Sequence, residues 1–297
     1  MGAFKQRISA RHMNNSPQRI VTRFAPSPSG YLHAGHALAA IIPWREAQDN
    51  GGRFLVRIED IDRGRCRAEF EDSILEDLTW LGLTWEEPVR RQSEHMDDYA
   101  RALAQLDDKG LIFPCYCTRA DIKAEIARSP SAPHGPDGAL YPGLCRDLSS
   151  DERAARLNAG DAHALRLNMD KALAHISAPL LWHDRLKGEQ TAAPEIFGDV
   201  VLARKDTPTS YHLSVVVDDA LQGITLVTRG QDLFEATHIH RLLQALLDLP
   251  TPDYFHHELV VDDKGQRLAT RQKSETLQAM RQSGMTAETL LQKLGLD

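Results

Sequence analysis

The sequence predicts an α/β protein organised around a parallel sheet, and three observations near its start carry that reading. Arg19-Ile20-Val21-Thr22-Arg23-Phe24 has the makings of a short strand, and Phe54-Leu55-Val56-Arg57-Ile58 is a second, mostly apolar run. Between them a stretch from about His33 to Gln48 suits a helix and stops at Asn50-Gly51-Gly52, where glycine commonly ends helices. Strand, helix and strand in so short a span make a right-handed crossover joining two parallel strands.

The chain has 297 residues, enough to bury a sizeable core as one large domain or two intermediate ones. Met1 to Gln18 is polar, lacks the apolar centre of a signal peptide, and reads as a disordered lead-in to a cytoplasmic protein. No apolar run approaches the roughly 20 residues that span a bilayer, so no membrane partner is expected. The net charge is −7, from 35 basic and 42 acidic residues. That balance is no nucleic-acid footprint, and any contact with RNA must use a local basic patch.

After the first strand, Ala25-Pro26-Ser27-Pro28-Ser29-Gly30 cannot lie inside a helix or strand, because two prolines and a glycine punctuate it. His33-Ala34-Gly35-His36 then falls at the start of the helix, where unpaired backbone N–H groups and the positive end of the dipole favour phosphate. His33 and His36 share a helix face and can donate to phosphate oxygens, while Gly35 lets a base or ribose approach the backbone. A metal pair or two solvated histidines would also fit these four residues alone. The strand before them, the proline turn, and Glu59-Asp60-Ile61-Asp62 at the end of the second strand favour the nucleotide site. Ligands of open parallel sheets bind outside the carboxyl ends of the strands, where Arg23 to Ser27 and Glu59 fall.

Farther along, helices are predicted over Asp72 to Leu81, Asp97 to Lys109, Glu152 to Gly160 and Asp232 to Leu247, and strands over Val200 to Arg204 and Ile224 to Thr228. Trp80 and Trp85 read as core or interface rather than base-stacking residues, and His238 and His240, on different faces of their helix, as structural or solvated. Cys115 and Cys117 are too close for an ordinary disulfide framework and, with Cys145, point to a metal in a reducing compartment. A closed zinc site wants four ligands, so three thiolates need a partner, and His134 is chemically suited. Three buried or free thiols without metal are the alternative. Cys66 matches no ligand spacing and reads as a packed or exposed thiol.

The run from Arg23 through His36 resembles the signature of class I glutamyl-tRNA synthetases. Ile58 to Asp62, Tyr211, Val217-Asp218-Asp219 and Arg229-Gly230-Gln231-Asp232 extend the likeness, which covers roughly Arg19 to Arg271. It is closest to the shortened members of that group, the glutamyl-queuosine tRNA(Asp) synthetases. The resemblance implies a Rossmann-like catalytic domain that forms glutamyl-adenylate from L-glutamate and ATP with Mg²⁺. It also implies transfer of the glutamate to queuosine in the anticodon of tRNA(Asp). A free glutamate carries two carboxylates and an ammonium, so its site needs arginines and an acid. The matched positions assign Arg23 and Arg229 to the carboxylates, Glu59 to the ammonium, Tyr211 to a hydroxyl and apolar wall, and Ala25 and Ser27 to contacts from the loop. His33, Gly35 and His36 fall to ATP.

Such enzymes carry a second signature of the form K-M-S-K-S whose second lysine contacts phosphates. The matching stretch is Arg267-Leu268-Ala269-Thr270-Arg271, so Thr270 stands where that lysine would be. Arg271 and Lys273 are close enough in sequence to substitute, although arginine is not an automatic replacement for lysine. An exposed polar turn is the plainer account of that stretch. The family pattern supplies Tyr141 as the fourth zinc ligand beside Cys115, Cys117 and Cys145. The expected organisation is a lead at 1–18, the first half of the catalytic domain at 19–111, an inserted zinc-containing subdomain at 112–195 and the second half at 196–297. Too little chain follows Arg271 for an anticodon-binding domain of on the order of 100 residues, and a monomer is expected. A truncated synthetase for tRNA(Glu), another adenylate-forming or nucleotidyl-transferring enzyme, and a non-catalytic tRNA-binding paralogue are the competing readings.

Overall fold

The computed structural model describes residues 19–128, 134–136, 138–259 and 275–296. The lead at 1–18 and the candidate residues Arg267, Thr270, Arg271 and Lys273 lie outside the described residues, and so does the side chain of His134.

β1 (Val21–Phe24), α1 (Ala34–Asp49), β2 (Arg53–Ile58), α2 (Ala68–Trp80) and β3 (Glu86–Arg91) follow one another as two crossovers, and the three strands pair in parallel with β2 central. The turn from α1 into β2 is tight: a Cβ on Gly52 would stand 2.3 Å from the Ile20 carbonyl oxygen, so only glycine fits. α2 begins four residues before the predicted Asp72, and buries Ile74 and Leu78 beneath the sheet. Trp80 and Trp85 pack on the same core, as the sequence suggests.

Next come α3 (Met96–Asp108), β4 (Ile112–Cys115), α4 (Arg119–Arg128), the short β5 (His134–Gly135) and β6 (Gly138–Ala139), α5 (Ser150–Asn158), β7 (Ala164–Leu167) and α6 (Met169–Ala174). β8 (Leu181–Asp184) and β9 (Gly188–Thr191) form a hairpin, and β10 (Val201–Ala203) pairs back onto β7 to give the antiparallel order β10-β7-β4. Strand β4, which the sequence reading did not separate, delivers Cys115 at its last residue. α5 starts with a reciprocal Ser149–Glu152 capping box and is exposed, as expected.

α7 (Tyr211–Gln222), β11 (Leu226–Gly230), α8 (Ala236–Leu246) and β12 (Asp253–His257) return the chain to the parallel sheet, with β12 between β11 and β8. The long helix predicted from Asp232 is divided: Gln231–Leu233 is a single tight turn, and α8 starts only at Ala236. Two short helices, α9 (Leu277–Gln282) and α10 (Ala287–Lys293), pack against the β1–β2 half.

β1 and β11 adjoin: the Thr225 N–H donates to the Val21 carbonyl at 2.9 Å, and Val21 N–H donates to Thr225 Oγ1 at 2.9 Å. From that seam the strands extend outward in both directions, through β2 to β3 and through β12 to β8. Strand order reverses there, so a crevice opens above the carboxyl ends of β1 and β11.

α7 presents Tyr211 to this crevice and is pinned beneath it by Leu213, which is fully buried. Leu213→Ala should lower the unfolding free energy by about 2–5 kcal/mol, read from the urea midpoint, and a loss well under 1 kcal/mol would contradict this packing.

Candidate active site at the seam of the parallel sheet

A cavity of about 1200 Å³ fills the crevice. Arg23, Ala25, Ser27, His33, Gly35, His36, Glu59, Tyr211 and Arg229 all line it, so every sequence-predicted amino-acid or nucleotide residue within the described chain meets in one place.

The floor is a buried charge network. Asp219 on α7 accepts from Arg23 Nε at 3.0 Å and Arg23 Nη2 at 3.3 Å, and from Arg57 Nη1 at 2.7 Å. Arg57 Nη2 in turn donates to Glu59 Oε1 at 3.0 Å. Arg57 is fully buried, and although burial opposes its charge, Asp219, Glu59 and Asp218 raise its pKa. Burial pushes the Glu59 carboxyl above its ordinary range against the pull of Arg57 and Arg23. For Asp219 the two guanidiniums outweigh burial and hold its carboxyl below that range. Asp218 anchors the network to α3 and β3, accepting from Tyr99 at 2.9 Å, Gln92 at 2.8 Å and Arg90 at 2.8 Å.

The two arginines expected to meet carboxylates are therefore unequal. Arg23 is already clamped by Asp219, with its Nη1 on the Thr228 carbonyl at 3.2 Å. Arg229 is buried too, but its acceptors are neutral: His256 Nε2 at 3.1 Å, His240 Nδ1 at 3.1 Å, Thr237 Oγ1 at 2.7 Å and the Tyr211 hydroxyl at 3.4 Å. Among the described residues no carboxylate stands within 4.0 Å of it. Asp184 reaches it only through His256, whose Nδ1 lies 2.7 Å from Asp184 Oδ2. His240 and His238 are both buried rather than solvated, and His238 accepts from the Ala193 N–H at 3.3 Å. Burial and the adjacent Arg229 charge lower the His240 pKa well below its ordinary value and that of His256 to about 4.

His33, also on the cavity wall, is the N-cap of α1. Its Nδ1 accepts from the Gly35 N–H at 3.1 Å, and His36 Nδ1 accepts from the His33 N–H at 3.2 Å. With both Nδ1 atoms accepting, the neutral rings carry their protons on Nε2, the form that can donate to phosphate. A Cβ on Gly35 would sit 3.0 Å from His33 Cε1, so glycine permits this capping as well as an open approach to the backbone. Cys66, half-buried, has its Sγ 3.8 Å from Ser27 Oγ at the rim.

A second cluster lies away from this cavity. The sulfurs of Cys115, Cys117 and Cys145 all stand within 4.8 Å of one another. The Tyr141 hydroxyl is 3.4 Å from Cys115 Sγ and 3.6 Å from Cys117 Sγ, and it accepts from the Cys145 N–H at 2.8 Å. Thiolates on one tetrahedral zinc would be about 3.8 Å apart, given Zn–S bonds of about 2.3 Å, so the group has the right dimensions.

Sequence reading missed Arg57, Thr237, His240, His256 and Asp184 as parts of the site. Arg57 had a signal, since a lone arginine in the run Phe54-Leu55-Val56-Arg57-Ile58 must find an acid when its strand is buried. The other four come from distant segments and had none.

Fold and site together define a class I tRNA synthetase catalytic domain. The family model for class I tRNA synthetases (E and Q), catalytic domain, matches residues 19–296. The chain is 48% identical over 284 residues to a glutamyl-Q tRNA(Asp) synthetase of Rhodobacter capsulatus, covering 93% of this chain and 100% of that one. It is 42% identical to another of that name from Symbiobacterium thermophilum, covering 91% of this chain and 83% of that one. The solved glutamate-tRNA synthetase of Elizabethkingia anophelis superposes with a TM-score of 0.74 at 26% identity, over 86% of this chain and 53% of that one. This chain belongs to the glutamyl-Q tRNA(Asp) synthetase family.

Neutral buried histidines make the fold sensitive to acid. When unfolded, His256 and His240 take up protons near their ordinary value of 6.5, while folded they resist protonation, His256 down to about 4. Their contribution is thus complete above that ordinary value and is lost as pH falls below it, by up to about 1.4 kcal/mol per pH unit for each histidine. Urea midpoints measured between about pH 7 and 5 should fall steadily. His256→Gln should flatten the slope, and a slope unchanged by that substitution would refute the assignment.

Proposed function

We propose that the protein activates L-glutamate with ATP and passes it to queuosine in the anticodon of tRNA(Asp), acting as a cytoplasmic monomer. The observation that carries the glutamate reading is Arg229, a buried and fully oriented guanidinium that meets no carboxylate among the described residues. An anion entering the cavity is its natural partner. Glu59 gives Oε1 to Arg57 and has no described partner on Oε2, which leaves that oxygen for the substrate ammonium. Tyr211 closes the carboxylate site with its hydroxyl, and Ala25 and Ser27 form the loop side. A solved relative, the glutamate tRNA ligase of Elizabethkingia meningosepticum in complex with its amino acid, superposes with a TM-score of 0.73 at 26% identity, over 86% of this chain and 52% of that one.

In the first step an α-carboxylate oxygen of glutamate attacks the α-phosphorus of ATP, the bond to the β-phosphate oxygen breaks, and pyrophosphate leaves. His33 and His36 donate to the phosphates, and the positive end of the α1 dipole stabilises charge that grows there. Mg²⁺ bound with the nucleotide supplies further charge neutralisation. Arg267, Thr270 and Arg271 are assigned to the phosphate-facing loop, with Arg271 or Lys273 in place of the missing lysine. Supporting this, Leu259 lines the cavity just before that stretch, and Thr276, just after it, bridges to His33. In the second step a hydroxyl of the queuosine ring attacks the activated carbonyl and AMP leaves.

We assign Zn²⁺, in a structural role, to Cys115, Cys117, Cys145 and Tyr141. These residues sit in the 112–195 segment, proposed as a subdomain inserted between catalytic halves at 19–111 and 196–297. The supporting pairing is antiparallel β4–β7, although β10 extends that sheet beyond the segment and β8 rejoins the parallel one. Among the described residues no helix is long and apolar enough to cross a membrane.

Glutamate should drive ATP–pyrophosphate exchange without tRNA, and tRNA(Asp) should accept labelled glutamate only when it carries queuosine, at the anticodon. Acceptance by tRNA(Glu) at its 3′ end would instead support an ordinary glutamyl-tRNA synthetase. Arg229→Gln should raise the KM for glutamate by on the order of 100-fold, and an unchanged KM would refute the carboxylate assignment. Purified protein should hold zinc in equimolar amount by elemental analysis, and Cys117→Ser should lose most of it. Equal zinc in both would refute the ligand set.

A further inference from the structure

Among the described residues, the contacts of Arg229 differ in kind from those of the other two buried arginines, Arg23 and Arg57, and that difference bears on selectivity. Arg23 and Arg57 each donate to at least one carboxylate, whereas Arg229 spends four of its five N–H groups on Thr237, His240, His256 and Tyr211. Each of these fixes an angle without supplying negative charge. Thr237 is fully buried on α8, and His240 lies one turn farther along the same helix. His256 comes from β12, with its tautomer set by Asp184: Nδ1–H donates to that carboxylate, so Nε2 must accept from Arg229. His240 is likewise placed, with Nδ1 toward Arg229 and Nε2 3.2 Å from His212 Nδ1.

We propose that Thr237, His240 and His256 are positioning residues that orient Arg229 while leaving its charge uncompensated, and that this neutral cage makes the site choose glutamate over glutamine. The inference rests on the glutamate-activating reading above. The side-chain carboxylate of glutamate sits on Arg229, and the α-carboxylate, the nucleophile, points toward the nucleotide. Glutamine has nearly the same shape and presents an amide where glutamate presents that side-chain carboxylate. The matching family model spans both E and Q synthetases, so the choice is a real one for this fold. A guanidinium neutralised by a built-in acid would meet an amide about as well as a carboxylate. With only neutral acceptors around it, binding an amide leaves a buried cation without a counter-ion, which penalises glutamine strongly. The low pKa values of both histidines agree, because a protonated ring could not accept from Arg229.

The test compares a charged and a neutral substitution of the same shape. Thr237→Asp places a carboxylate against Arg229 Nη2, and Thr237→Asn keeps a neutral acceptor there. ATP–pyrophosphate exchange is measured with glutamate and with glutamine for wild type and both variants, and melting temperature reports folding. Thr237→Asp should lower the glutamate-to-glutamine ratio of kcat/KM by on the order of 100-fold, while Thr237→Asn should keep it within about 5-fold of wild type. A merely structural role would lower both substrates together and leave the ratio alone in both variants, which overturns the proposal. If Thr237→Asp does not fold, His240→Glu against His240→Gln makes the same comparison with the same expected outcomes. Wild-type protein that exchanges with glutamate upholds the activity reading whatever the variants do. Folded wild-type protein without glutamate-dependent exchange defeats that reading and this inference together.

Discussion

Asp219 accepts hydrogen bonds from both Arg23 and Arg57 at a depth where all three side chains are almost wholly removed from solvent. The three come from β1, β2 and α7, so one carboxylate ties together the elements that meet at the seam of the sheet. Buried ion pairs of this kind gain little over an apolar core of equal volume, yet removing Asp219 would strand Arg23, leave Arg57 with Glu59 and Asp218, and cost about 3–5 kcal/mol. What the arrangement supplies is position. Arg57 holds Glu59 at the cavity floor, Arg23 is fixed beside it, and Tyr211 is carried on the first turn of the helix that bears Asp219.

Two kinds of buried arginine then share one cavity. The Asp219 side is electrically settled, while the Arg229 side is oriented but uncompensated, and the difference gives the cavity a polarity that a dicarboxylate with one ammonium matches. The start of α1 lines the same cavity, with His33 and His36 held by their own backbone contacts. Preorganised donors of this type need little rearrangement when charge develops, which is the main way a protein can speed adenylate formation without forming a covalent bond to the substrate.

Much of this was legible in the primary structure because it is local. The β1–α1–β2 crossover is contiguous, and the proline turn, the His33-Ala34-Gly35-His36 run and Glu59 follow from strand ends and helix starts. The gathering of Arg23, Glu59, Tyr211 and Arg229 came from resemblance, since no local rule brings residues so far apart to one wall. What went unread depends on tertiary pairing. Strand β4 is only Ile112–Cys115 with a proline inside it, too short for alternation to show. The break before Ala236 leaves no mark in the hydrophobic spacing of Asp232 to Leu247. His256 is one of several histidines, and only its register opposite Arg229 in the β11–β12 pair reveals its task.

The most direct measurement of the central claim is a crystal structure with a non-hydrolysable glutamyl-adenylate analogue bound. The account predicts a substrate carboxylate hydrogen-bonded to Arg229, the ammonium on Glu59, and the phosphate beside His33 and His36 at the start of α1. An analogue seated elsewhere, or one whose carboxylates both avoid Arg229, would contradict it.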